Sequence, residues 1–270
     1  MTMNRIMIGC GAVLATAWLA GCSQHATNVF QGYIEGEYVY VSAPIGGALT
    51  NLAVARGDEV KTGQLLFELE RGSEAAVLSE AQKNLAQAKA NLALSEAEFA
   101  RRLELRKDQG VISAEELDRA RAAREADQAQ VEAQTAALDR ARWSFDQKQQ
   151  FAPTNAFVHD TLYRPGEWAG AGKPIVVLLP PANLKVRFFV PEAVLPKIKP
   201  GQMVSVTFDG GQHPYPATIN YISTQAEFTP PVIYSRDNRA KLVFMIEAVF
   251  PSAAASDLRP GQPTDVRINP

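Results

Sequence analysis

The side chains that could do chemistry are few in this 270-residue chain, and they are scattered. His25, His159 and His213 lie in three separate segments with no cysteine beside them and no i, i+4 pairing, so the spacing that holds a zinc ion is missing. Beyond the first ten residues the methionines are Met203 and Met245, both at strand-like positions where a thioether fills core space. The stretch Gly-Glu-Trp-Ala-Gly-Ala-Gly-Lys at 166–173 has the glycines and lysine of a phosphate loop. It is one residue too long, however, and Pro174 stands where a Ser or Thr should bind magnesium. No Ser/His/Asp set or pair of carboxylates stands apart from the solvated charges. The sequence therefore assigns no catalytic, cofactor-binding or metal-ligating residue, and the expectation is a protein that is not an enzyme. A net charge of −2 without a basic run argues against nucleic acid as a partner.

Cysteine gives a different kind of site. Arg5 precedes an apolar run from Ile6 to Leu19, and Leu19-Ala20-Gly21-Cys22 follows it. A run of about 14 residues is short beside the roughly 20 a membrane span needs, so residues 1–21 read as a secretory signal. The tetrapeptide resembles a bacterial lipobox, which implies cleavage before Cys22 and lipidation of its thiol. The membrane would then be engaged through an N-terminal lipid. Ser23 leaves open which membrane holds it. Cleavage also removes Cys10, the only other cysteine, so the mature chain has no internal disulfide.

The elements that must position any binding site centre on residues 72–150. Between Ser73 and Gln109 there is neither proline nor glycine, and residues that lose least on entering a helix dominate. Leu78, Leu85, Leu92 and Phe99 recur every seven residues, with Ala81, Ala88 and Ser95 three places on, which is a coiled-coil seam. Leu117, Val131, Leu138 and Phe145 continue the period on a return helix, interrupted by Arg124. About 38 residues at about 1.5 Å each give an arm of roughly 57 Å. Gly110 supplies the break, and Ser113 with Glu116 fits a capping box that opens the second helix. A further stripe, Ala122, Ala126, Ala129, Ala133 and Ala136, lies on another face, where it either meets a neighbouring subunit or faces solvent.

The flanks of this hairpin repeat one another. Ala43-Pro44 matches Ala152-Pro153, Gly57-Asp58 matches Gly166-Glu167, and Gly63 matches Gly172, each pair 109 positions apart. With Gly57-Asp58-Glu59-Val60-Lys61-Thr62-Gly63, the repeat resembles the two half-motifs of a lipoyl/biotinyl-type β-sandwich. That resemblance implies a carrier lysine between the halves, and the residues there are Leu69-Glu70-Arg71-Gly72. No lysine is among them, which argues against a lipoyl or biotinyl carrier domain of an enzyme; that stays the alternative reading, with a structural envelope lipoprotein as a third.

From Leu184 onward short apolar strands alternate with turns: Lys185–Val190, Met203–Phe208, Ala217–Ile222, Leu242–Ala248 and Thr264–Ile268, with a short helix expected over Pro191–Ile198. The expected fold class is mixed α and β, elongated: a coiled-coil helical hairpin inserted in a lipoyl/biotinyl-type β-sandwich, followed by a small β-barrel. The expected segments are 1–21 signal, 22–34 lipidated linker, 35–71 first half-sandwich, 72–150 hairpin, 151–183 second half-sandwich and 184–270 barrel.

This order behind a lipobox resembles the HlyD-type periplasmic adaptor, or membrane fusion protein, family. Membership implies an adaptor in the periplasm of a Gram-negative bacterium, anchored through its lipid, the inner membrane being favoured. It would join an inner-membrane exporter to a TolC-like outer-membrane channel and assemble as a homo-oligomer, a hexamer in the complex. Phe228-Thr229-Pro230-Pro231-Val232-Ile233-Tyr234-Ser235 resembles a loop of the subgroup that serves ABC-type exporters, which favours that type, with an adaptor of a proton-driven efflux pump as the alternative. At the hairpin tip the family's channel-docking motif matches Arg102, Ser113, Leu117 and Asp118, while Arg106 replaces the family's leucine. On the residues alone, Ser113 and Glu116 cap a helix and the arginines are solvated. On the resemblance, Arg102 donates paired hydrogen bonds to carboxylates or carbonyls of a channel.

Overall fold

The computed structural model describes residues 29–109, 112–211, 213–228, 242–251 and 258–268. Cys22 with its signal segment, Gly110, and residues 229–235 of the exporter-associated loop lie outside the described residues. The chain divides into two compact units, Gly36–Asn183 and a second that combines the residues up to Glu35 with Leu184–Pro270.

The first unit is a sandwich with a helical insertion. Its first half supplies β2 (Val39–Ser42), β3 (Gly47–Leu52), β4 (Glu59–Val60) and β5 (Leu65–Leu69), the second β6 (Gln149–Phe151), β7 (Ala156–Thr161), β8 (Trp168–Ala169) and β9 (Pro174–Leu179). The sheets run β2-β9-β7-β4 and β6-β5-β3-β8. Exchanging each strand for its repeat partner turns one order into the other, so the two halves interlock about a pseudo-twofold. Each sheet thus draws strands from both halves. Leu49, Leu66, Phe67, Leu69, Val158, Ile175, Val176 and Leu178 form the buried core between the sheets.

The repeat extends to single bonds. Gly57 and Gly166 both have φ +94°, a conformation only glycine adopts without strain. The Gly57 amide donates to the Val158 carbonyl at 2.8 Å, and the Gly166 amide donates to the Leu49 carbonyl at 2.8 Å. The glycine-rich run at 166–173 is therefore a structural turn of the second half.

Between β5 and β6 the chain runs out through α1 (Gly72–Gln109) and back through α2 (Ala114–Asp146). Ala81, Leu85, Ala88 and Ser95 are buried in the seam, opposite Leu117, Ala120 and Ala141. The interruption at Arg124 has its own partner, since its guanidinium lies 4.7 Å over the Phe99 ring, a cation–π contact. The Ala122–Ala136 stripe is exposed.

The second unit is a closed six-stranded barrel of β1 (Val29–Gly36), β10 (Leu184–Pro191), β11 (Met203–Thr207), β12 (Tyr215–Phe228), β13 (Leu242–Val249) and β14 (Pro263–Ile268), in the order β1-β10-β13-β12-β11-β14. Val186, Phe188, Ile219, Ile246 and Val266 fill its interior.

Two expectations are corrected here. Residues 29–34 belong to strand β1, paired with β14 from Val29↔Arg267 to Tyr33↔Pro263, and not to a linker. Their alternation, with Phe30 and Ile34 buried, covers the edge that β14 would otherwise expose. Over 191–198, Pro191 closes β10 and only a 3₁₀ turn forms, at Leu195–Lys197. Pro196 sits in that turn and Pro200 restricts Lys199 to extended backbone, so a helix has no room to propagate.

Candidate functional site: the hairpin tip

α1 brings Arg102 and Arg106 to its last two turns, one turn apart on the same face. α2 opens on Ser113, whose extended backbone (φ −70°, ψ 158°) makes it the N-cap. Its hydroxyl accepts from the Glu116 amide at 3.2 Å, while its own amide donates to Glu116 Oε2 at 3.0 Å. The Ser113 hydroxyl also donates to Oε2 at 2.8 Å. This closed capping box satisfies donors that a helix start leaves open.

The same bonds hold the Glu116 carboxyl below the usual carboxylate range. The Ser113 amide contributes most, its hydroxyl next, and the Arg102 and Arg119 charges add to the effect.

Arg102 does not simply point to solvent. Its Nη1 donates across the hairpin to the Glu116 carbonyl at 3.4 Å, and Nη2 stands 4.0 Å from Glu98 on its own helix. Arg106 is exposed. Asp118 is exposed too and pairs with Arg121 at 3.5 Å. Leu117 is only 7% exposed, so it supports the tip from inside the seam and does not present itself at the surface. Arg102, Ser113 and Glu116 are thus brought into one bonded cluster, with Arg106 and Asp118 on its exposed surface. Its chemistry is that of directed guanidinium donors beside carboxylate acceptors, suited to polar recognition.

A second cluster, at the hairpin root, is absent from the sequence-based site. Lys148 is only 3% exposed, and its Nζ donates to the Gly46 carbonyl at 2.9 Å and pairs with Glu74 Oε1 at 2.9 Å. One signal could have found it. Lys148 falls seven residues after Ala141, on the Ala120 row of the seam, where a lone lysine must be paired.

A family model described as "RND MFP, alpha-helical hairpin domain" matches residues 77–148. YdhJ, an uncharacterized protein of Escherichia coli K12, is 31% identical over 76% of this chain and 71% of its own length. A UPF0194 membrane protein of Yersinia pseudotuberculosis is 29% identical over 97% of this chain and 96% of its own. Among solved structures, the membrane fusion protein Spr0693 of Streptococcus pneumoniae matches with a TM-score of 0.66 at 19% identity, over 89% of this chain and 98% of that one. MacA of Actinobacillus actinomycetemcomitans matches with a TM-score of 0.62 at 20% identity, over 89% and 78%. These last two share the fold: a mixed α and β architecture with one helical hairpin. With the sandwich, the inserted hairpin and the barrel described, residues 77–148 carry the α-helical hairpin domain of RND-type membrane fusion proteins.

Proposed function

We propose that this protein is the adaptor of a tripartite export complex, a non-enzymatic subunit joining an inner-membrane exporter to a TolC-like outer-membrane channel. In this reading it is the HlyD-type, lipoprotein form, held in the periplasm through a lipidated Cys22. It works as a homo-oligomer, a hexamer in the complex. The resemblance carried by residues 228–235 favours an ABC-type exporter, and the RND-type hairpin match over residues 77–148 supports the alternative of another transporter class.

The observation that carries the reading is the tip. A hairpin of 38- and 33-residue helices ends in Arg102, tied across to Glu116, and in a closed capping box at Ser113. With Arg102 and the capping box already placed, docking exchanges the weak Arg102–carbonyl bond for acceptors on the channel. Arg106, beside it, adds a second guanidinium where relatives of this type have an apolar residue, so the channel's docking groove carries matching acceptors. Leu117 backs this surface from within.

Export by cells carrying Arg102→Asp or Ser113→Arg tests the reading. Both variants should be made, folded and inactive. Normal export by either at wild-type level would remove the tip from the mechanism.

A further inference from the structure

The root of the hairpin is held to the sandwich by polar contacts beside an open space. Lys148 lies where α2 passes into β6, Glu74 lies in the first turn of α1, and Gly46 lies in the β2–β3 loop. One ammonium group therefore joins three chain segments. Gly47 keeps the backbone clear of it, since a Cβ there would come within 3.1 Å of Nζ. Arg71 makes a further tie, pairing with Glu68 at 2.9 Å and lying 4.6 Å over the Phe145 ring.

Beside these ties the root leaves a space unfilled. A half-open cleft of about 450 Å³ is lined by Ile45 of the β2–β3 loop, Val77 of α1 and Ala137, Arg140 and Ala141 of α2, with Glu74 in its wall. Close-packed apolar contact resists tilting, because interdigitated side chains have one good arrangement. An open cleft offers no such resistance. The second Glu74 oxygen, Oε2, is buried and, among the described residues, accepts no hydrogen bond, so within them this carboxylate is held by Lys148.

We propose that Lys148 is a positioning residue that sets the angle between hairpin and sandwich, with the cleft as the space into which the hairpin swings when Lys148 lets go. The Arg71–Phe145 stack is the pivot that remains. At about 1.5 Å per residue the tip lies some 50 Å from the root, so a tilt of a few degrees displaces Arg102 by several ångströms. For the adaptor reading, on which only this consequence rests, the clamp keeps the tip aimed at its channel.

Distances between nitroxides on Arg56→Cys in the sandwich and Ala129→Cys on the shaft of α2 report the angle directly. They are measured in the full chain with Cys10 and Cys22 changed to Ser. Lys148→Met removes the clamp but strands Glu74, so Glu74→Met/Lys148→Met is measured beside it. Replacing both partners of a buried pair leaves no lone charge and keeps the fold. The expected result is a distance distribution at least twice as wide in both variants, with an unchanged helical signal. Adding Ala137→Phe, which fills the cleft, should narrow it again. An unchanged width in the double variant overturns the proposal, as does a broadening that Ala137→Phe leaves untouched. Neither readout uses export, so a failure here is distinguishable from a failure of the adaptor reading.

Discussion

Arg102 of α1 donates to the backbone carbonyl of Glu116 in α2, at 3.4 Å across the hairpin. The arginine is thus joined to the capping box through the residue that closes it, and the two helices meet at the tip through a polar bond placed just outside the buried seam at Leu117. The cluster responds as one unit to substitution and to pH.

Ser113→Ala removes the cap acceptor and one donor to Glu116 Oε2. The first turn of α2 should lose about 1 kcal/mol of local stability. Amide exchange at residues 114–117 should accelerate several-fold while exchange in the sandwich stays unchanged. Equal rates in variant and wild type would show that the cap is not holding the turn.

The tip should also loosen in acid. The Glu116 carboxyl titrates below its ordinary range in the folded protein, chiefly because of the Ser113 amide. A group lowered in this way contributes its stability above the ordinary glutamate value, and that contribution is lost as the pH falls through the lowered one. Amide resonances of Ser113 and Glu116, followed by NMR, should stay fixed from neutral pH down to the ordinary range and shift only below it.

The barrel carries a second acid-sensitive group. Glu247 is 8% exposed, and its carboxylate accepts from Lys185 at 2.8 Å and from Arg187 at 2.8 Å. Burial pushes its pKa up, but the bonds to Lys185 and Arg187 outweigh it and leave the pKa below the usual range. Glu247→Ala removes the carboxylate that accepts from both cations and leaves Glu35 to pair with Arg187 at 2.7 Å and Lys185 at 3.9 Å, so it should cost about 2 kcal/mol of barrel stability, read by urea denaturation. A loss under about 1 kcal/mol would place the network in the class of surface pairs.

The internal repeat predicts equal costs at equivalent positions. Gly57→Ala and Gly166→Ala each force a side chain onto φ +94° where nothing lies within 4 Å of a new Cβ. Each should therefore destabilise the sandwich by roughly 1 to 2 kcal/mol through backbone strain alone. Thermal unfolding of the two variants should agree closely.

How much of this was legible in the sequence varies from element to element. The hairpin was legible because its seam repeats every seven residues, and the sandwich because Gly57, Gly63, Gly166 and Gly172 mark turns that need left-handed backbone. Strand β1 was not, because one strand with Phe30 and Ile34 facing inward shows its partner only when β14 closes on it, more than 200 residues away. The tip residues were readable as types and spacings, but whether a leucine on the seam is buried depends on the facing helix, and Leu117 is. Lys148 is not legible as a clamp in the sequence because its partners, Gly46 and Glu74, lie 102 and 74 residues away in the chain.

The central claim is that the tip meets an outer-membrane channel. A photoreactive phenylalanine analogue at Asp118, an exposed position in the first turns of α2, tests it in living cells, with the same analogue at Arg56 in the sandwich as the control. The account predicts that Asp118 captures an outer-membrane channel protein, that Arg56 does not, and that Arg102→Asp abolishes the capture. Irradiated cells in which Asp118 captures no outer-membrane protein, despite full expression of the protein, would contradict it.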